Sequence, residues 1–470
     1  MNFTVRAALS ITLCTLTTAA QMPSAPVAQV SASPQQPASP GQTPSASQAQ
    51  TPSPNAPPPT AGAGSVRLTL ADAEKLALKN NPRIAVGRLV ALGQNQVTRE
   101  ARSVQMPAVV GNLTAVDAHP GGRITAGSLN NPVLYQRAAG GITLAQLITD
   151  FGRTHNLVSS ADFRAQAETA AANATAADIT LAVDQAFYRA LGAQSVLNVA
   201  RATVQARQTT VDQITALANA KLRSTLDLSF ANVALAQAKL LLLNAQNQSE
   251  DALATLNALL GEQAAPNFTL VEDTTAAPQP PPQDAEGLVG VALAHRPDLL
   301  ALNDQAQAAQ KFSTAEHDLY RPTISALGTT GGAPIRADQI TSSWYGAVGV
   351  NLSIPIFNGF LFSARAKEAD LRSQAAQQQV RDLRNAISRD VRTTVLQAQS
   401  NFDRIDVAQQ LLDQANSALD LAQTRYNLGL SSIVELSQAQ LQQTQAQIDL
   451  ADARYAYAGS LANIRFQTGQ

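Results

Sequence analysis

Residues 387–426 read ISRDVRTTVLQAQSNFDRIDVAQQLLDQANSALDLAQTRY. Steps of four and three pick out Ile387, Val391, Thr394, Ala398, Asn401, Ile405, Ala408, Leu412, Ala415, Leu419, Ala422 and Tyr426. Small and apolar residues at a and d positions over about five heptads are the coiled-coil pattern, and alanine at the seam permits close helix approach. The same seam stands earlier in the chain, from Ile179 through Val183, Ala186 and Ala190 to Val211, Ile214 and Ala218; only Arg207 breaks it. At about 1.5 Å per residue, a helix from residue 153 to 220 spans about 100 Å.

The two seams belong to a tandem duplication. Asp162/Asp370, Val183/Val391, Ser224/Ser432, Ala231/Ala439 and Gly261/Gly469 keep an offset of 208, while Pro82/Pro297 and Pro107/Pro322 keep one of 215. Each long helix is followed by a reversal, 219–224 in the first copy and 427–432 in the second, and then by a shorter returning seam such as Leu228, Ala231, Leu235, Ala238 and Leu242. Gly429 supplies positive φ at the second reversal, and the first lacks a glycine. Asn81 is read as a helix cap with Pro82 in the first turn, and Pro297 takes the same role in the second copy.

Between Pro107 or Pro322 and the long helix the period changes to two. Val348, Val350, Leu352, Ile354 and Ile356 face one way; Ala347, Gly349, Asn351 and Ser353 face the other. Trp344 and Tyr345 stand at one margin, with Phe357, Phe360 and Phe362 at the other. Apolar-out, polar-in alternation between aromatic margins is the pattern of an outer-membrane barrel strand. Further strands are expected over 107–117, 141–148 and 322–329, with loops over 119–131 and 331–341. Four strands cannot close a barrel, so a lipid-spanning sheet requires several chains to share one.

Arg6 followed by the apolar stretch 7–16 and the small residues 18–20 read as a secretory signal over 1–20. Leu13 before Cys14 departs from a lipidation site. Residues 21–65 hold eleven prolines and no charge, the composition of an extended disordered spacer. A second proline-rich break, 263–286, divides the folded part into repeats 66–262 and 287–470.

Charged residues are 14% and aromatics 4%, with 33 Lys+Arg against 34 Asp+Glu, so nothing in the charge balance favours nucleic acid. One Cys, 4 His and 3 Met argue against disulfides and soft-metal sites. No phosphate loop, zinc-protease, serine-hydrolase or dinucleotide motif is present. The reading is of a non-enzyme with no cofactor and no metal; His119, His155, His295 and His317 are given no catalytic role.

Over almost all of 66–470 the chain resembles the TolC-type outer membrane efflux proteins. The resemblance rests on LTLADAEKLALKNNP at 68–82, DFG at 150–152, IFNG at 356–359 and RYNLGLSSIVE at 425–435, together with the duplication. It implies a mainly α fold with a β-barrel part, in which a homotrimer joins a 12-stranded barrel in outer membrane lipid to an α-helical tunnel in the periplasm. It further implies passive export through a periplasmic adaptor from an inner-membrane efflux pump or ABC exporter. The alternative reading, a trimeric surface fibre or adhesin, places its strands at one end of the chain instead of in a duplication. Leu428, Gly429, Leu430 and Ser431, with Lys221 and Leu222 opposite, are the expected adaptor-docking tips. By resemblance, Tyr426 and the position of Asp227 match residues that link neighbouring hairpins and hold the tunnel shut. Glu435 is the repeat counterpart of Asp227. The family's basic link position falls on Ser431, which leaves Arg425 or Arg223 as replacements. Surface carboxylates and a core tyrosine are the plainer reading of the same residues.

Overall fold

The computed structural model describes residues 66–117, 137–261, 268–272, 279–335 and 342–469. The expected signal, the proline-rich spacer, Cys14, His119 and the 119–131 loop lie outside the described residues, as do parts of 263–286 and 331–341.

The first copy runs β1 (Val66–Leu68), α1 (Leu70–Asn80), α2 (Pro82–Ser103), β2 (Ala108–Val116), β3 (Arg137–Thr149), α3 (Arg153–Asn219) and α4 (Thr225–Leu260). The second runs β4 (Phe268–Leu270), α5 (Ala285–His295), α6 (Pro297–His317), a 3₁₀ turn (Asp318–Tyr320), β5 (Thr323–Ile335), β6 (Trp344–Ser353), α7 (Leu361–Asn427) and α8 (Ile433–Thr468). The long helices α3 and α7 are 67 residues each, and their returning partners α4 and α8 are 36 each. The heptad seams explain the length. Val183, Ala190, Ala200 and Ile214 are buried along α3, as are Ile387, Val391, Ala398 and Ala422 along α7.

α2 and α4 both pack along α3, and α6 and α8 both pack along α7. Within each pair the short helices meet end to end. The Asn81 side chain accepts from Arg83 N at 2.9 Å, capping α2, and its Nδ2 donates to Leu259 O at 2.8 Å in the last turn of α4. In the second copy Arg296 stands at the Asn81 position and donates to the Gln467 side chain, which stands where Leu259 does. A parallel β1–β4 pair ties the two copies together above a core of Phe187, Leu256, Leu260 and Leu68. Asn81→Ala loses both a cap and the partner of a buried carbonyl, each worth about 1 kcal/mol, so a destabilisation of about 2 kcal/mol is expected. Asn81→Asp, which keeps only the cap, should lose about half of that in denaturant titrations.

β2, β3, β5 and β6 form one antiparallel sheet in that order. β5 extends through residues 331–335, where sequence alone suggests a loop, because Gly331 and Gly332 pair with Tyr345 and Trp344 and continue the ladder. β3 likewise starts at Arg137, four residues before the expected 141. β6 stops at Ser353 although the alternation runs on to Phe357. Pro355 has no N–H to donate and restricts the residue before it.

Candidate functional site

Two regions are unusual for a folded chain: the sheet and the helix reversals at the opposite end. Pairing places Val109 opposite Leu144, Leu144 opposite Gly328, and Gly328 opposite Val348. Successive outward positions therefore carry Val109, Leu113, Ile142, Leu144, Val348 and Val350, all exposed. The opposite face is more polar, with Asn112, Thr143, Thr329, Asn351 and Ser353 beside Val110 and Leu327. Among the described residues, strands β2 and β6 each keep one edge unpaired. An exposed apolar sheet face and open sheet edges are the usual marks of an interaction surface.

At the strand-to-helix junctions, Phe151 and Gly152 have φ of 56° and 110°, and Gly359 and Phe360 have φ of 62° and 67°. The two copies thus make the same left-handed pair with Phe and Gly exchanged. A side chain with positive φ costs on the order of 1–2 kcal/mol, so the bend is held from outside. Around the first junction, Asp150 accepts from Thr154 N, and Arg321 from the second copy donates to Phe151 O.

At the reversals the four long helices end over a shared cluster of Val211, Ile214, Leu235, Tyr426, Ile433 and Leu436. Leu222, Leu428 and Leu430 project outward and are 71%, 69% and 67% exposed. Gly429 has φ 75°, and at the matching position of the glycine-free reversal Lys221 adopts φ 61°. Lys221→Gly is therefore expected to raise hairpin stability by about 1 kcal/mol, read as a later denaturation midpoint.

Ser224 accepts from Leu226 N at 3.1 Å and Ser432 accepts from Glu435 N at 3.4 Å, so both serines cap the returning helices. Asp227 and Glu435 each occupy the third position of such a helix, where the partial positive charge of the N-terminus favours a carboxylate. Arg425 reaches Glu435 at 3.6 Å across the second reversal, with both side chains about half exposed. Such a pair contributes less than about 1 kcal/mol.

The stronger contact joins the two copies. Arg223 turns inward, its guanidinium carbon 4.3 Å from the centroid of the Tyr426 ring, and it donates to Tyr426 O at 2.6 Å. Tyr426 is 5% exposed. Burial pushes its hydroxyl pKa up, against the pull of Arg223, and Asp227 adds to the rise. The Tyr426 hydroxyl and the Ser431 Oγ are both buried without a hydrogen-bond partner among the described residues. The structure therefore brings Tyr426, Arg223 and Asp227 to one place, and it pairs Arg425 with Glu435 separately. Sequence reasoning named Arg223 only as one replacement for a missing basic residue. The 208 offset held the missing signal, because Arg223 is the repeat counterpart of Ser431.

Among the described residues no group of three or more His, Cys, Asp or Glu side chains is placed to hold a metal ion. His317 Nε2 lies 3.0 Å from Asp370 Oδ1 on the α6–α7 surface, and Ser313 donates to the same oxygen instead of to the histidine. That arrangement does not activate a nucleophile.

Duplicated helical hairpins about 100 Å long, carrying a sheet with one apolar face, define a class of elongated membrane-associated proteins. The family model described as outer membrane efflux protein matches residues 74–262 and 288–470, and the chain belongs to that family. It is 25% identical over 316 residues to the outer membrane protein TolC of Escherichia coli, covering 62% of this chain and 63% of that protein. The chain thus spans under two thirds of the length of that relative. It is 23% identical over 429 residues to the alkaline protease secretion protein AprF of Pseudomonas aeruginosa, covering 86% of this chain and 84% of that one. Its fold matches the outer membrane protein VceC of Vibrio cholerae with a TM-score of 0.73 at 20% identity, over 85% of this chain and 96% of that one.

Proposed function

We propose that three copies of this chain assemble into a passive export channel, with the four-stranded sheets closing a 12-stranded barrel in outer membrane lipid and the hairpins forming a periplasmic tunnel. The observation that carries this is the sheet, whose apolar face and two unpaired edges lie at the end of the chain opposite the helix reversals. A barrel is the arrangement that satisfies such edges in lipid. The duplication supports shared closure of the helices as well. Inside a chain, α3 of the first copy packs on α8 of the second, with Thr203 against Thr444. The same offset maps this contact onto α7 and α4, which have no comparable contact within one chain. Leu411, the counterpart of Thr203, is exposed, as are Val407 and Leu421 beside it. α7 of one copy against α4 of the next would cover them.

In this reading 1–20 is a secretory signal, 21–65 a spacer, and 66–262 and 287–470 the two repeats, separated by 263–286. Leu222, Leu428 and Leu430, with Lys221, Gly429 and Ser431, form the surface offered to a periplasmic adaptor, behind which stands an inner-membrane pump or ABC exporter. Tyr426, Asp227, Glu435 and Arg425, with Arg223, form the gate. The unpartnered Tyr426 hydroxyl supports a link to a neighbouring chain in the closed state. The surface-fibre reading accounts less well for strand pairs that recur in both repeats.

Membrane fractionation followed by single-channel recording of the purified protein tests the proposal. Discrete conductance steps from a trimer in the outer membrane fraction are expected; a trimer that never conducts would support a fibre instead. The double variant Tyr426→Phe, Asp227→Ala should raise conductance and sensitivity to large antibiotics while trimers still form, and wild-type conductance in that variant would exclude these residues from the gate.

A further inference from the structure

Arg207 has no role in the channel reading and sits where charge is least expected. It occupies a seam position of α3 and is 7% exposed, yet no carboxylate among the described residues pairs with it. Among the described residues it donates to the neutral Gln440 side chain of α8. Burial pushes the guanidinium pKa down with no acid to offset it. The heptad does not require the charge. The repeat counterpart of Arg207 is Ala415, buried at 6%, so alanine fills this position without difficulty.

The surroundings give the charge a use. Arg207 lines a groove of about 430 Å³ between α4 and α8. Phe230 and Val233 form one wall and Val434 and Leu441 the other, all substantially exposed, while Gln237 and Gln445 supply amides. A buried cation without a counter-ion is unfavourable, and an anion that reaches it is held in a low-dielectric site. Apolar walls with one fixed charge, at a volume in the usual small-ligand range of about 300–1,000 Å³, describe a ligand site.

We propose that this groove binds a small amphiphilic anion, its carboxylate or equivalent head on Arg207 and its hydrocarbon body between Phe230, Val233 and Leu441. The occupant is chosen by charge complementarity: the groove offers a lone cation at its floor and hydrocarbon above it. Because Ala415 replaces the arginine in the second copy, each chain carries one such site. A bound ligand would wedge between the two hairpins of a chain on the tip side of the molecule. The inference does not depend on the chain conducting.

The test is calorimetric titration of decanoate into the full-length protein in phosphatidylcholine nanodiscs, with empty nanodiscs as the blank. Saturable binding at one site per chain is expected. Arg207→Gln and, separately, Val233→Trp, which fills the groove from an exposed wall position, should each weaken it at least tenfold. Acetate, a head without a tail, and decanol, a tail without a charge, should bind at least tenfold more weakly than decanoate. Absence of saturable decanoate binding to the wild type overturns the proposal, as it would if a neighbouring copy or another protein segment filled the groove. Equal binding by wild type and both variants, or decanol binding as tightly as decanoate, overturns it as well. Conductance recorded on the same preparation reports separately on the channel reading.

Discussion

Alanine in place of Arg223 is expected to shift the proposed channel from a closed to a predominantly open state. The guanidinium makes a charge-assisted hydrogen bond to Tyr426 O and stacks on the Tyr426 ring, joining the tip of one repeat to that of the other. A hydrogen bond to a charged group is worth about 1.5–3 kcal/mol, and a partly buried cation–π contact about 0.5–2. In the proposed trimer three such links total about 6–15 kcal/mol, more than the roughly 5.5 kcal/mol that separates 1% from 99% open. Single-channel conductance should rise several-fold and cells should become sensitive to large antibiotics. Arg223→Lys, which keeps the charge but loses the planar stack, should fall between. Arg425→Ala should raise conductance less than Arg223→Ala does, because its pair with Glu435 is half exposed and contributes under about 1 kcal/mol. Equal conductance of wild type and Arg223→Ala would remove Arg223 from the gate.

Asparagine in place of Asp184 is expected to stabilise the protein above neutral pH and leave it nearly unchanged near pH 4.5. Asp184 is buried between α1, α3 and α8, at 3% exposure. Its pKa is pushed up from 3.8 to about 7, first by burial and then by the neighbouring Glu74 carboxylate, while Arg465 at 3.2 Å pulls the other way. The folded chain therefore holds a proton from about pH 4 to 7 that the unfolded chain has released. Its stability falls as pH rises through that window and is lowest above it. At about 1.4 kcal/mol per pKa unit, the difference is on the order of 4 kcal/mol. Losing the contact to the half-exposed Arg465 subtracts at most about 1 kcal/mol. Asp184→Asn should accordingly gain about 3 kcal/mol at pH 8, seen as a melting temperature that no longer drops between pH 4.5 and 8. A variant that still melts earlier at pH 8 than at pH 4.5, with the wild-type slope, would remove Asp184 as the cause.

The long helices, the duplication and the position of the reversals were legible in the residues because each is a periodic or local property. A heptad records which side of a helix is covered, and Ile179, Val183, Ile387 and Val391 are buried as their spacing requires. Ser224 and Ser432 cap as their neighbours suggest. Strand ends were less legible. Whether Gly331 and Gly332 belong to a strand depends on a partner ladder, since glycine by itself disfavours strands.

What the sequence by itself determined was the repeating unit: a seam, a reversal, a returning helix and an alternating strand pair, written twice at offsets of 215 and 208. What only the tertiary structure decided was how the two units meet. The placement of α3 against α8 brings Arg223 to Tyr426, Arg465 to Asp184 and Gln440 to Arg207, across separations of 203, 281 and 233 residues. The physical reason is that periodicity specifies which face of an element is buried. Which residues face one another across two buried faces follows from the packing of whole helices, and no local pattern carries that register.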